Sequence, residues 1–148
     1  MKKNIGLRVR NLVRKFNTKD PYEICKKLNI QLVCRDLGKH KGFCRRIKGI
    51  DFIFINSNFS EFLQLIILLH ELGHIILKHP RKDVIFMKTH FLGVSNKLEN
   101  EANLFLAEFL AQKFQDEELE MEILKEDKKI LDKIMQLRIV LNKTSDRF

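Results

Sequence analysis

Two histidines and a glutamate stand together in the run His70-Glu71-Leu72-Gly73-His74. On an α-helix, residues four apart share a face, one turn above each other. The imidazoles of His70 and His74 can therefore converge on one metal ion. Glu71, roughly 100° round the helix, can hold a water beside that ion without being a ligand. The run lies inside an almost continuously apolar stretch, Phe59 to Leu77. Burying three ionisable groups there without a strong partner is costly. A metal relieves that cost; the plainer alternative is a core helix whose histidines are satisfied by hydrogen bonds.

A catalytic zinc takes three protein ligands, so a third is expected from the next helical stretch, Asn96 to Leu110. The candidates are Glu99, Glu101 and Glu108. Glu99 shares its face with Ala102, small enough for a close helix approach, and with Asn103, placed one turn on to hydrogen-bond a ligand histidine. Glu101 lies about 200° round from Glu99, so the two do not readily face one metal. Asn96 and Glu99 also have the spacing of an N-terminal capping box, a competing use. Glu99 is the preferred ligand. His79, five residues past His74, is out of helical alignment with the pair. It reads as a loop histidine, with a substrate-facing role or a third metal ligand as the alternatives.

Zn²⁺ held by His70, His74 and Glu99 implies metal-assisted hydrolysis, in which the ion acidifies a water toward a pKa of ~7. Glu71 takes a proton as that water attacks a peptide carbonyl, then hands it to the leaving amine. Tyr22, His79 and His90 are the side chains available to steady the oxyanion, and spacing does not choose among them.

The elements that must position these groups are legible in order. Ile5, Val9, Leu12, Val13 and Phe16 form a 3.6-period stripe, an amphipathic helix. Asp20 is a natural N-cap with Pro21 behind it, which predicts a second, short helix. Two helices followed directly by strands fall short of a helix-turn-helix module. Residues 30–35, 43–47 and 50–55 read as strands, the last two joined at Lys48-Gly49 as a hairpin. Asn56 to Ser60 offers N-caps for the helix 59–77, which Pro80 stops. Residues 80–97, with an apolar patch at Val84 to Met87, read as a loop with one short element that walls the site. Residues 116–142 read as one or two charged amphipathic helices that pack on the body. The fold class is α+β: a small mixed or antiparallel sheet packed on a central H-E-x-x-H helix, with further helices. Substrate can lie along an edge strand of such a sheet.

With 148 residues the chain reads as one domain with a real core. No stretch reaches the ~18 apolar residues a membrane span needs. The charged N-terminus lacks the apolar run of a signal peptide, so the expectation is a cytoplasmic protein. Three cysteines without a C-x-x-C pair argue against a disulfide framework or structural zinc site. The net charge is +9, and residues 1–50 hold fifteen Lys and Arg against three Asp and Glu. Such a half can attract nucleic acid, although no aromatic-basic motif accompanies it and a solvated surface is the simpler reading.

Beyond the zinc motif, the chain resembles the ImmA/IrrE metallopeptidases in several segments and in family order: Asp20-Pro-Tyr-Glu-Ile, Arg35-Asp-Leu-Gly, Lys41-Gly-Phe, Phe54-Ile-Asn-Ser-Asn, the H-E-x-x-H run, and Glu99-Asn-Glu-Ala-Asn-Leu-Phe. The resemblance covers about residues 15–112. It leaves a charged helical extension, about 113–148, that resembles nothing recognised. It implies a zincin-like fold, with Zn²⁺ on His70, His74 and Glu99 and with Glu71 as base. It also implies a protein of bacterial mobile elements or prophages that cleaves a helix-turn-helix repressor to release silenced genes. The family often carries Phe-Ala-Ala-Glu-Leu-Leu and a following Pro, where this chain has Phe105-Leu-Ala-Glu-Phe-Leu110 and none. A different reading keeps the zinc fold as a scaffold that binds a repressor or DNA without cutting.

Overall fold

The computed structural model describes residues 3–80, 97–114 and 125–146. The loop expected after Pro80, with Val84 to Met87 and His90, lies outside the described residues, as do Asn96, Ile123 and Leu124.

Local signals set most element boundaries. Helix α1, Ile5–Phe16, starts where the Asn4 side chain accepts the Leu7 amide and ends at Asn17 in the left-handed region, φ 51°. Helix α2, Pro21–Lys27, is capped by Asp20, which accepts the Tyr22 amide at 2.9 Å. Three strands follow: β1, Gln31–Arg35; β2, Gly42–Ile47; and β3, Ile50–Asn56. Lys48 and Gly49 both have positive φ, 49° and 79°, as a two-residue hairpin turn with the twist of its strands requires. β3 is central, with β2 antiparallel on one side and β1 parallel on the other. The sheet is therefore mixed. Asn56 ties its exit to the preceding turn by donating to the carbonyls of Gly38 and His40.

Helix α3, Glu61–Ile76, carries the H-E-x-x-H run and is buried along most of its length. Ser60 caps it, accepting the Leu63 amide and donating to Asp127. The helix lies between the sheet and α4, Lys97–Lys113, while α1 and α5, Lys125–Asp146, pack on α4. The tail packs on the body: Ile134 is buried, and Ile130, Leu131 and Leu141 lie against the core, joined by Met135.

Two glycines set the spacing around α3. A Cβ on Gly42 of β2 would collide with Ile67 and stand 2.6 Å from the Phe54 carbonyl oxygen. A Cβ on Gly73 would stand 3.1 Å from Phe105 of α4. Strand and helix thus approach α3 where it lacks or faces no side chain. No helix among the described residues is long and apolar enough to cross a membrane.

Candidate metal centre

α3 and α4 face each other with their polar residues in register. His70 Nε2 lies 3.1 Å from Glu99 Oε2, His74 Nε2 lies 3.1 Å from Glu99 Oε1, and the two Nε2 atoms are 3.2 Å apart. His70 and His74 are buried, and the Glu99 side chain is 13% exposed. Among the described residues, these three form a group able to hold a metal ion.

The donor set fits zinc. Ligand atoms at about 2.0–2.2 Å around a tetrahedral ion stand about 3.3–3.6 Å from one another, a few tenths of an ångström wider than the separations here. The protons point the same way. Asn103 Oδ1 lies 2.9 Å from His70 Nδ1 and accepts its proton, so the neutral ring turns its Nε2 lone pair inward. Two imidazole lone pairs and a carboxylate then converge, a set that a cation completes.

Electrostatics agree for His74 and Glu99, while the metal-free His70 is drawn toward its protonated form. Burial drives His74 down to about 4, the first cause being desolvation, so the ring is neutral near pH 7. For His70, desolvation lowers the pKa but Glu99, Glu71 and Asn103 outweigh it, and the net shift is upward. Burial alone would raise Glu99, yet the His70 and His74 rings beside it hold it down at about 2. It is a carboxylate at any ordinary pH.

Glu71 is fully buried, with Cys44 of β2 beside its carboxylate. Desolvation pushes it up to about 7, against the pull of His70 and of the Cys44 thiol and amide on β2. A carboxylate so placed is a proton acceptor tuned for neutral pH.

The remaining candidates are not part of this cluster. Glu101 faces away from the two histidines of α3 and meets His79 Nε2 at 3.1 Å and Lys3 Nζ at 3.3 Å. Glu108 is an anchor, gripped by Arg138 and Asn142 of α5 at 3.0 Å each. Tyr22 lines a 360 Å³ cavity with Glu61 and Gln64. It thus sits beside the N-terminal half of α3, with the cavity reaching Leu65.

His79 needs a different correction. It is buried, and its Nδ1 lies 2.9 Å from His74 Nδ1. Helical spacing does not bring it there. Lys78 adopts φ 59°, and the amides of Lys78 and His79 bond back to the carbonyls of Ile75 and His74. This Schellman turn folds His79 onto the ring of His74, with both its nitrogens occupied. The signal was present in the sequence as a histidine just past a helix end, two residues after its last turn, but no residue there announces a left-handed lysine.

Comparison with known proteins agrees with this geometry. Residues 25–136 match the peptidase M78 family, described as the IrrE N-terminal-like domain; the match runs into the tail that resembled nothing recognised. Immunity region protein 2 of Bacillus phage phi105 is 38% identical over 103 residues, which is 69% of this chain and 65% of that protein. Metallopeptidase ImmA of Bacillus subtilis strain 168 is 32% identical over 110 residues, which is 73% of this chain and 63% of that protein. The chain thus spans just under two thirds of each relative's length. No solved structure matches it closely. The chain belongs to the M78, or IrrE N-terminal-like, peptidase family.

Proposed function

We propose that this M78-family chain is a zinc-dependent endopeptidase that cuts a helix-turn-helix repressor at one site, acting in the cytoplasm. The observation that carries the reading is Glu71: a fully buried carboxylate pushed up to about 7 by desolvation, beside three converging metal donors. A scaffold that only bound a partner would have no use for such a costly group.

His70, His74 and Glu99 would hold the zinc, and Asn103 would keep the His70 ring turned toward it. The zinc, when bound, would supply Lewis-acid polarisation of water and of the scissile carbonyl. Glu71 takes the proton of the attacking water and returns it to the leaving amine. Its raised pKa suits both halves of that exchange. β2 is an edge of the described sheet and carries Cys44 next to Glu71. An extended substrate segment pairing along β2 would bring a peptide bond toward this carboxylate. A repressor as substrate draws support from the phage relative, whose name refers to an immunity region.

The test is co-expression with a candidate repressor, comparing the wild type with Glu71→Gln and measuring repressor mass. A single new cut with wild type alone supports the reading. Intact repressor bound by both proteins would replace it with a binding function, and salt-sensitive affinity for DNA would point to nucleic acid instead.

A further inference from the structure

His74 is held from behind by a chain of groups that reaches the start of α1. Lys3 Nζ lies 3.3 Å from Glu101 Oε1, the same oxygen lies 3.1 Å from His79 Nε2, and His79 Nδ1 lies 2.9 Å from His74 Nδ1. We propose that His79 and Glu101 are positioning residues that fix the proton of His74 on Nδ1 and so aim its Nε2 lone pair at the metal. This rests on the reading of His74 as a metal ligand.

The direction of every bond follows from the last acceptor. A carboxylate only accepts, so Glu101 takes the proton of His79 Nε2. A neutral imidazole has one N–H, so His79 Nδ1 is left as an acceptor. His74 must then donate from Nδ1, and its other nitrogen faces Glu99 and His70. Reversing one link would put a proton on His74 Nε2, where a metal must bind. Lys3 pairs with the carboxylate and also donates to the Leu77 carbonyl at 3.4 Å, bracing the turn that presents His79.

The two ligand histidines are thus oriented by different means. His70 is held by a neutral amide on the neighbouring helix, and His74 by a second histidine backed by a carboxylate. Partners of this kind raise ligand basicity as well as fixing the ring, and their loss costs about 10–100-fold in metal affinity. Glu101 lies only two residues from Glu99 on α4, so one helix supplies a ligand and, on another face, the support for a second ligand.

The experiment compares wild type, Glu101→Ala and Glu101→Gln. Zinc affinity is measured by competition with a chelator, and histidine ring protons are located by two-bond ¹H–¹⁵N spectra of metal-free protein at mildly alkaline pH. Glu101→Ala is expected to bind zinc about 10–100-fold more weakly and to lose the single Nδ1–H form of His74. Glu101→Gln, whose amide oxygen still accepts from His79, restores both. Equal zinc affinity in wild type and Glu101→Ala overturns the proposal, as does a wild-type His74 protonated on Nε2. A wild type that takes up no zinc sinks the metal reading of His74, while the ring spectra still decide the chain.

Discussion

Gly73 of α3 faces Phe105 of α4 so closely that a Cβ would stand 3.1 Å from both the Cβ and a Cδ atom of the phenylalanine ring system. Phe105 is fully buried and packs on Phe109, so it has little room to yield. This contact sets the distance across which Glu99 reaches His70 and His74. Gly73→Val should destabilise the metal-free protein by about 1–3 kcal/mol through overpacking, read by urea denaturation. Zinc affinity should fall as well, because the helices separate; unchanged values of both would show that α4 moves freely.

Glu71→Gln should leave zinc content at that of the wild type and reduce cleavage by about 10²–10⁴-fold. Metal analysis and a peptide cleavage assay give the two readouts. Loss of zinc in this variant would mean that Glu71 belongs among the ligands.

The same residue makes a pH prediction for metal-free protein. Glu71 has its folded pKa raised to about 7 from an ordinary 4.5, so its contribution is present below 4.5 and is lost as pH rises toward 7. His74, lowered from 6.5 to about 4, does the opposite, losing stability as pH falls across that window. The two slopes largely cancel between pH 4.5 and 6.5 in wild type. Glu71→Gln removes one of them. Its stability relative to wild type should therefore climb by on the order of 2–3 kcal/mol as pH rises through that window. Denaturation curves at a series of pH values, in chelator, would show a flat difference if Glu71 were not the cause.

Glu99 and Glu108 of α4 should separate by assay. Glu99→Ala should remove zinc binding, and with it the stabilisation of about 2.7 kcal/mol expected from zinc at 100 times its dissociation constant. Glu108→Ala should keep zinc and lose about 1–3 kcal/mol of stability, since Arg138 and Asn142 lose their acceptor. Thermal melts with and without chelator distinguish the two. A Glu108 variant that lost zinc at full stability would contradict its role as an anchor.

Much of this protein follows from sequence alone, because the signals are local. Asp20 before Pro21, Lys48-Gly49 between two apolar runs, and Ser60 ahead of a long apolar segment act on their own few residues of backbone. The four-residue spacing of His70 and His74 likewise needs only helical geometry to put both rings on one face. The same rule says that Glu99 and Glu101 do not readily face one metal, and Ala102 and Asn103 on the face of Glu99 make it the preferred ligand.

What tertiary structure decided is how that geometry is used across elements. The rotation of α4 against α3, set by Gly73 on Phe105, is a long-range packing outcome, and it alone turns Glu99 inward while sending Glu108 to α5. The left-handed turn at Lys78 brings His79 behind His74, where Glu101 meets its other ring nitrogen. No helical periodicity encodes those contacts. They arise because buried polar groups must find partners wherever the packed chain brings them, and only the packed chain says where that is.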